Sequence, residues 1–216
     1  MRPAFLATVF VATSLSFASA AFAQNPAKPR VELKTSLGTV VLELDRAAAP
    51  KTVDNFLGYV KSGFYDGTVF HRVIKNFMAQ GGGFDQQLKQ KPTRPPVVNE
   101  AEQAEKAGLK NDRGTIAMAR TADPHSATAQ FFINFKDNGF LNHSHAQTQI
   151  PPVCKVPNPV AGCARYGWGY AAFGRVVSGM DVVDKMADIP TGAGGPFPTD
   201  VPKTPIVIEK ATIVSQ

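Results

Sequence analysis

The stretch VFHRVIKNFMAQGGGF, Val69 to Phe84, decides how this chain is read. Its first half alternates like a β-strand but carries an arginine in the middle, and a Phe-Met pair, a lone glutamine and three glycines follow. Successive side chains of a strand point to opposite faces. A strand over Thr68–Ile74 therefore predicts Phe70, Arg72 and Ile74 on one face and Val69, His71 and Val73 on the other. On that reading His71 is a satisfied core histidine rather than a general acid. Phe77–Gln80 reads as a second short strand with Met78 and Gln80 on one face, and Gly81–Gly83 as a tight bend. The glycines lack the Gly-Lys-Ser/Thr ending and the following helix that a phosphate loop needs. One fixed cation, an apolar patch and an amide, without a nucleophile or an acid–base pair, suit a ligand that is partly apolar and rich in carbonyls, such as a peptide.

The flanking sequence supplies the frame. Val31–Thr35 and Thr39–Leu44 alternate and are joined through Ser36-Leu37-Gly38 as a β-hairpin. Ala49–Ser62 reads as a helix, with Pro50 in its first turn and Val53, Phe56, Leu57 and Val60 recurring at helical spacing before Gly63. Further strands are predicted over Thr115–Ala119, Gln130–Phe135, Tyr170–Val176 and Pro205–Val214. A second helix follows Ser178 as its cap, with Met180, Val183 and Met186 along it. Residues 85–113 and 139–169 read as irregular. About eight short strands and two helices, with no β-α-β alternation, predict a mainly β domain, and closing the sheet into a barrel would remove its edges. In QFFINF, Phe131, Ile133 and Phe135 form the core face, which leaves Gln130 and Phe132 together on the other. Three strands thus each carry polar and apolar groups on one side.

The ends and the bulk composition limit the setting. Arg2 followed by an uncharged apolar run over residues 4–22 and the small-residue site Ala21-Phe22-Ala23 predicts a secretory leader over residues 1–23, with Ala18-Ser19-Ala20 as a second cleavage site. Residues 24–30 read as a polar linker and residues 31–216 as the folded domain. No later segment is apolar enough to span a bilayer, so no membrane attachment is expected once the leader is removed. The net charge of +6 comes from scattered residues and forms no nucleic-acid stripe. Cys154 and Cys163 in CKVPNPVAGC, exported to an oxidising compartment, are expected to form a short-loop disulfide. His143 and His145 lie near Cys154 in sequence, but an oxidised cysteine is no ligand, and neither a metal nor a cofactor is expected.

Four successive segments, FHRVIKNFMAQGGGF, GTIAMAR, SATAQFFIN and AAFGRVVSGMDVVDKM, resemble the signatures of the cyclophilin-type peptidyl-prolyl cis-trans isomerases. The resemblance runs from about Val31 to Val214. With the leader, the chain most resembles the periplasmic cyclophilins of Gram-negative bacteria. The resemblance implies a closed eight-stranded antiparallel β-barrel capped by two α-helices, with a groove on its outer surface. It implies Arg72 as the catalytic residue and Phe77, Met78, Phe132 and Leu141 as a proline pocket. Gln80 and Gln130 become substrate-binding amides, and Ala119 and Arg120 the segment that runs beside a bound peptide. Phe140 stands where many members have a tryptophan, which removes an indole N–H and predicts weak binding of cyclosporin-type inhibitors. Tyr170 stands where many have a histidine on the pocket wall. Residues 143–168 read as an insertion, with Trp168 as a candidate neighbour of the groove. The implied activity is X–Pro isomerisation that assists folding of exported proteins. The expected partners are proline-containing peptides and unfolded exported chains, the expected state a monomer, and the expected location the periplasm, with secretion as the alternative. A non-catalytic binding module or chaperone using the same groove or the 143–168 insertion is the competing reading.

Overall fold

In the computed structural model, which describes residues 28–155, 163 and 166–215, the chain runs as β1 (Arg30–Thr35), β2 (Gly38–Leu44), α1 (Pro50–Lys61), β3 (Thr68–Ile74), β4 (Met78–Asp85) and α2 (Ala101–Lys106). It continues through β5 (Thr115–Met118), β6 (Phe131–Asn134), α3 (His143–Thr148), β7 (Ala172–Ser178), α4 (Met180–Ala187), β8 (Thr191–Gly194), β9 (Phe197–Pro202) and β10 (Val207–Ser215). The expected leader and residues 24–27 of the linker lie outside the described residues. Eight strands close into an antiparallel barrel in the order β1-β10-β3-β4-β6-β5-β7-β2. No helix among the described residues is long and apolar enough to cross a membrane.

The alternation of the strands builds two apolar layers. Leu33, Val40, Leu42, Phe131, Ile133 and Phe173 fill the barrel interior, where Phe56 of α1 meets Phe131 edge-on at 5.5 Å. Burial of such side chains contributes roughly 1.5–3 kcal/mol each. Met78, Ala117, Phe132 and Ala172 point the other way and form a second cluster with Leu141. α1 begins with Pro50, whose missing N–H is no loss in a first turn. Its exposed amides are capped from a distance: the buried Glu100 carboxylate accepts from Lys51 N (3.1 Å), Thr52 N (2.8 Å) and Thr52 Oγ1 (2.7 Å).

Four expectations need correction. Phe70 does not share a face with Arg72. The pairing of β3 with β4 shifts register between Phe70 and Arg72, so Phe70 and Val73, three residues apart, both enter the interior. A bulge inserts one residue and inverts the alternation beyond it. The Gly81–Gly83 run is not a bend between elements; β4 continues through it. Gly82 sits at φ +80°, and a Cβ there would lie 2.7 Å from Phe131, while one on Gly83 would lie 2.4 Å from the Gln130 side chain. Side-chain-free backbone is what lets those residues close over the strand. The helices number four among the described residues rather than two, because α2 and α3 form inside stretches read as irregular. Finally, Ser178 ends β7 and Gly179 occupies the N-cap of α4 without a side-chain cap, and the PTGAGGPFP stretch forms most of the separate two-stranded sheet β8-β9.

Candidate active site

The second apolar layer is the floor of a groove of about 320 Å³ on the outside of the barrel wall, lined by Arg72, Phe77, Met78, Gln80, Ala119, Arg120, Phe132, Phe140, Leu141 and Tyr170. Strand register produces it. Arg72 of β3 pairs with Gln80 of β4, Gln80 pairs with Phe132 of β6, and Phe132 pairs with Ala117 of β5. One row across four neighbouring strands therefore carries a cation, an amide, an aromatic ring and a methyl group. Met78 and Phe132 are almost fully buried beneath it. Phe77 stacks on Phe140 at 5.6 Å, and Tyr170 meets Phe132 edge-on at 5.8 Å. Phe140 is 52% exposed and forms an apolar rim.

The polar side is a relay of side chains. Arg72 Nη1 lies 3.5 Å from Gln80 Oε1, and Gln80 Nε2 donates to Gln130 Oε1 at 2.9 Å. Gln130 does not line the groove itself. It sits one step behind Gln80, where a neighbouring hollow begins that also takes in Gln90, Thr93, Ser126 and Thr128. The Ala119 N–H donates to the Gln130 carbonyl at 3.0 Å and is committed to the fold. The Arg120 guanidinium lies 4.5 Å over Tyr170 and donates to the Gly169 carbonyl at 3.1 and 3.0 Å.

Behind Arg72, His71 is buried between Phe84 (4.5 Å) and Phe197 (5.3 Å). It is a core histidine, as expected, though its Nδ1 makes no hydrogen bond of good geometry. Burial, which disfavours the charged ring, outweighs the nearby Val69 carbonyl and lowers its pKa to about 4. It stands neutral on the far side of the strand from the groove.

Sequence reasoning missed what holds the floor. Asn138 Nδ2 donates to the Phe77 carbonyl (3.0 Å) and to Asn134 Oδ1 (2.8 Å), and Asn111 Nδ2 donates to the Tyr170 carbonyl (3.1 Å) and to Asn142 Oδ1 (3.0 Å). Leu141 N donates to the Asn138 carbonyl at 2.8 Å. Buried Asn111 and the closely spaced Asn134, Asn138 and Asn142 thus fix the backbone of three groove residues. Their only signal in the sequence was a polar side chain at Asn134 beside core positions.

The expected insertion leaves and rejoins the barrel at the groove. Its roots are pinned by Tyr170 N donating to the Leu141 carbonyl at 2.9 Å. Cys154 and Cys163 are joined by a disulfide. Trp168 does not line the groove; it meets His125 edge-on at 4.6 Å.

The family model described as cyclophilin type peptidyl-prolyl cis-trans isomerase matches residues 30–213. A peptidyl-prolyl cis-trans isomerase of Streptomyces antibioticus is 56% identical over 85% of this chain and 98% of its own length. Peptidyl-prolyl cis-trans isomerase A of Dickeya dadantii is 46% identical over 100% of both chains, and peptidyl-prolyl cis-trans isomerase B of Escherichia coli is 49% identical over 85% of this chain and 98% of its own. Among solved structures, a cyclophilin from Hirschia baltica aligns with a TM-score of 0.62 at 24% identity, covering 88% of this chain and 75% of that one. At that identity the structural match speaks for the fold alone.

Proposed function

This chain belongs to the cyclophilin-type peptidyl-prolyl cis-trans isomerases and accelerates exchange at X–Pro bonds, and we propose that it does so in the groove described above, with Arg72 as its catalytic residue, on exported chains. The observation that carries the reading is the row Arg72–Gln80–Phe132, which places one cation beside an apolar floor of ring size.

The chemistry asks for little else. The barrier to X–Pro rotation is amide resonance, ~18–20 kcal/mol, and uncatalysed exchange takes tens to hundreds of seconds. No covalent bond is made or broken, so the catalyst has to bind the twisted amide better than the planar one. As the bond twists, the proline nitrogen regains its lone pair and accepts a hydrogen bond. Arg72 supplies it from a guanidinium that stays charged and offers several donors. Phe77, Met78, Phe132 and Leu141 hold the proline ring, with Tyr170 as a wall and Phe140 as the rim. Gln80, oriented by Gln130, and the backbone beside Ala119 and Arg120 hold the preceding residues, so that rotation is confined to one end. Turnover on the order of 10³ s⁻¹ needs a barrier near ~13 kcal/mol. One charge-assisted hydrogen bond made in the twisted state, plus fixed geometry, is of the right size for much of that reduction.

Residues 1–23 act as a leader that sends residues 31–216 to the periplasm, where the enzyme works as a monomer on unfolded, proline-containing clients. The apolar start of the chain supports this, as does the Cys154–Cys163 bridge, which persists in oxidising compartments. The test is X–Pro exchange in a short Ala-Pro-Phe peptide with mature protein and with Arg72→Ala. Loss of more than ~100-fold in the variant supports the assignment. Equal exchange by the folded variant removes Arg72 from the reaction.

A further inference from the structure

We propose that Asp200 is a positioning residue for Arg72, carried to it by a hairpin that lies outside the barrel. The proposal rests on the reading of Arg72 as the catalytic donor. β8 and β9 pair only with each other and share no ladder with the barrel. Packing against the barrel seats them. The Phe197 ring lies 5.3 Å from His71 and 5.1 Å from Phe84, and Gly194 and Gly195 close over Leu88 so tightly that a Cβ on Gly195 would lie 2.9 Å from it. From this seat Asp200 Oδ2 comes to 3.6 Å from Arg72 Nε.

Two non-glycine residues with left-handed backbone lie where the hairpin is seated. Asp200 has φ +67° and Leu88 has φ +58°, conformations uncommon outside glycine and most costly for a bulky side chain. Strain of this kind persists where surrounding structure over-determines it, and it gathers at functional sites.

The geometry gives the pair a purpose. Arg72 is spanned between the hairpin at Nε and Gln80 at Nη1. A carboxylate on the Nε side limits the swing of a long side chain and leaves the Nη edge turned toward the groove. An arginine side chain has much rotamer freedom to lose, and whatever is removed before substrate arrives need not be removed during catalysis. Both partners are partly exposed, 42% and 31% in their side chains, so the coupling is that of a surface pair and the effect is modest.

The test is a double-mutant cycle on kcat and KM for a short Ala-Pro-Phe peptide. Asp200→Asn is expected to lower kcat about three- to fivefold with KM within about twofold, an effect the size of an exposed ion pair. Asp200→Glu recovers most of the loss. Asp200→Gly separates positioning from architecture. It relieves the left-handed strain, so the unfolding midpoint holds or rises, yet kcat falls as in Asp200→Asn. In the Arg72→Ala background, measured at high enzyme concentration, Asp200→Asn has no further effect. Wild-type kcat in Asp200→Asn or Asp200→Gly, or an equal loss in the Arg72→Ala background, overturns the positioning role. Full activity in Arg72→Ala alone overturns the reading beneath it instead.

Discussion

Arg72 and Arg120 line the same groove, and their guanidinium groups are held in opposite ways. Arg120 donates to the Gly169 carbonyl at 3.1 and 3.0 Å and to the Thr121 carbonyl at 2.9 Å, and its Cζ lies 4.5 Å over the Tyr170 ring. Arg72 has two long contacts, 3.5 Å to Gln80 and 3.6 Å to Asp200. A guanidinium whose donors are spent on backbone carbonyls is a strut; one oriented by long contacts at its edges keeps donors for a ligand. Identical residue types on one groove therefore take different work, and the hydrogen bonds tell them apart.

The largest expected effect tests the arginine proposed to be catalytic. Arg72→Ala is expected to lose more than ~100-fold in kcat while its unfolding free energy stays within about 0.5 kcal/mol of wild type, as for a surface substitution. A matching loss of stability, read by denaturant titration, would make Arg72 a strut as well. Next comes the strand that carries it. The His71 pKa is lowered from 6.5 to about 4 in the fold, so the unfolded chain binds a proton more tightly between those values. Stability is full above about pH 6.5 and falls on acidification toward pH 4, by up to about 3 kcal/mol. His71→Phe should flatten that window in denaturant titrations at stepped pH, and an unchanged slope would place the titrating group elsewhere.

Arg120→Ala is expected to cost about 1–2 kcal/mol of stability by releasing Gly169 and Tyr170, and to raise KM more than it lowers kcat. A pure kcat effect at full stability would erase the distinction between the two arginines. The smallest effect is expected at the disulfide. Reduction of Cys154–Cys163 should leave exchange within about twofold of the oxidised enzyme, because the insertion is pinned at its roots by the Tyr170–Leu141 hydrogen bond before the bridge is reached. Thiol titration checks the reduction, and a large loss of activity would show that the insertion shapes the groove.

Much of the candidate groove was legible residue by residue. Gln80 and Phe132 could be placed on one side of their strands because an alternation of two survives wherever the ladder is regular. It failed at Phe70, because a bulge depends on the partner strand and leaves no mark in the bulged one. α2 and α3, six residues each, are too short for a helical period to declare itself. Asn111, Asn138 and Asn142 looked like loop residues because the groups they hold lie far away in sequence.

The sequence by itself determined a mainly β chain and the single arginine of Val69–Phe84, through residue type and local period, while its long ordered signatures carried the family and, with it, the eight-stranded barrel and the apolar set Phe77, Met78, Phe132 and Leu141. Only the tertiary structure decided which arginine has donors to spare, which carbonyls the buried asparagines hold, and that Asp200 arrives beside Arg72 on a hairpin sharing no ladder with the barrel. Contacts between distant residues are set by packing and register, and neither is written in the residues that meet there.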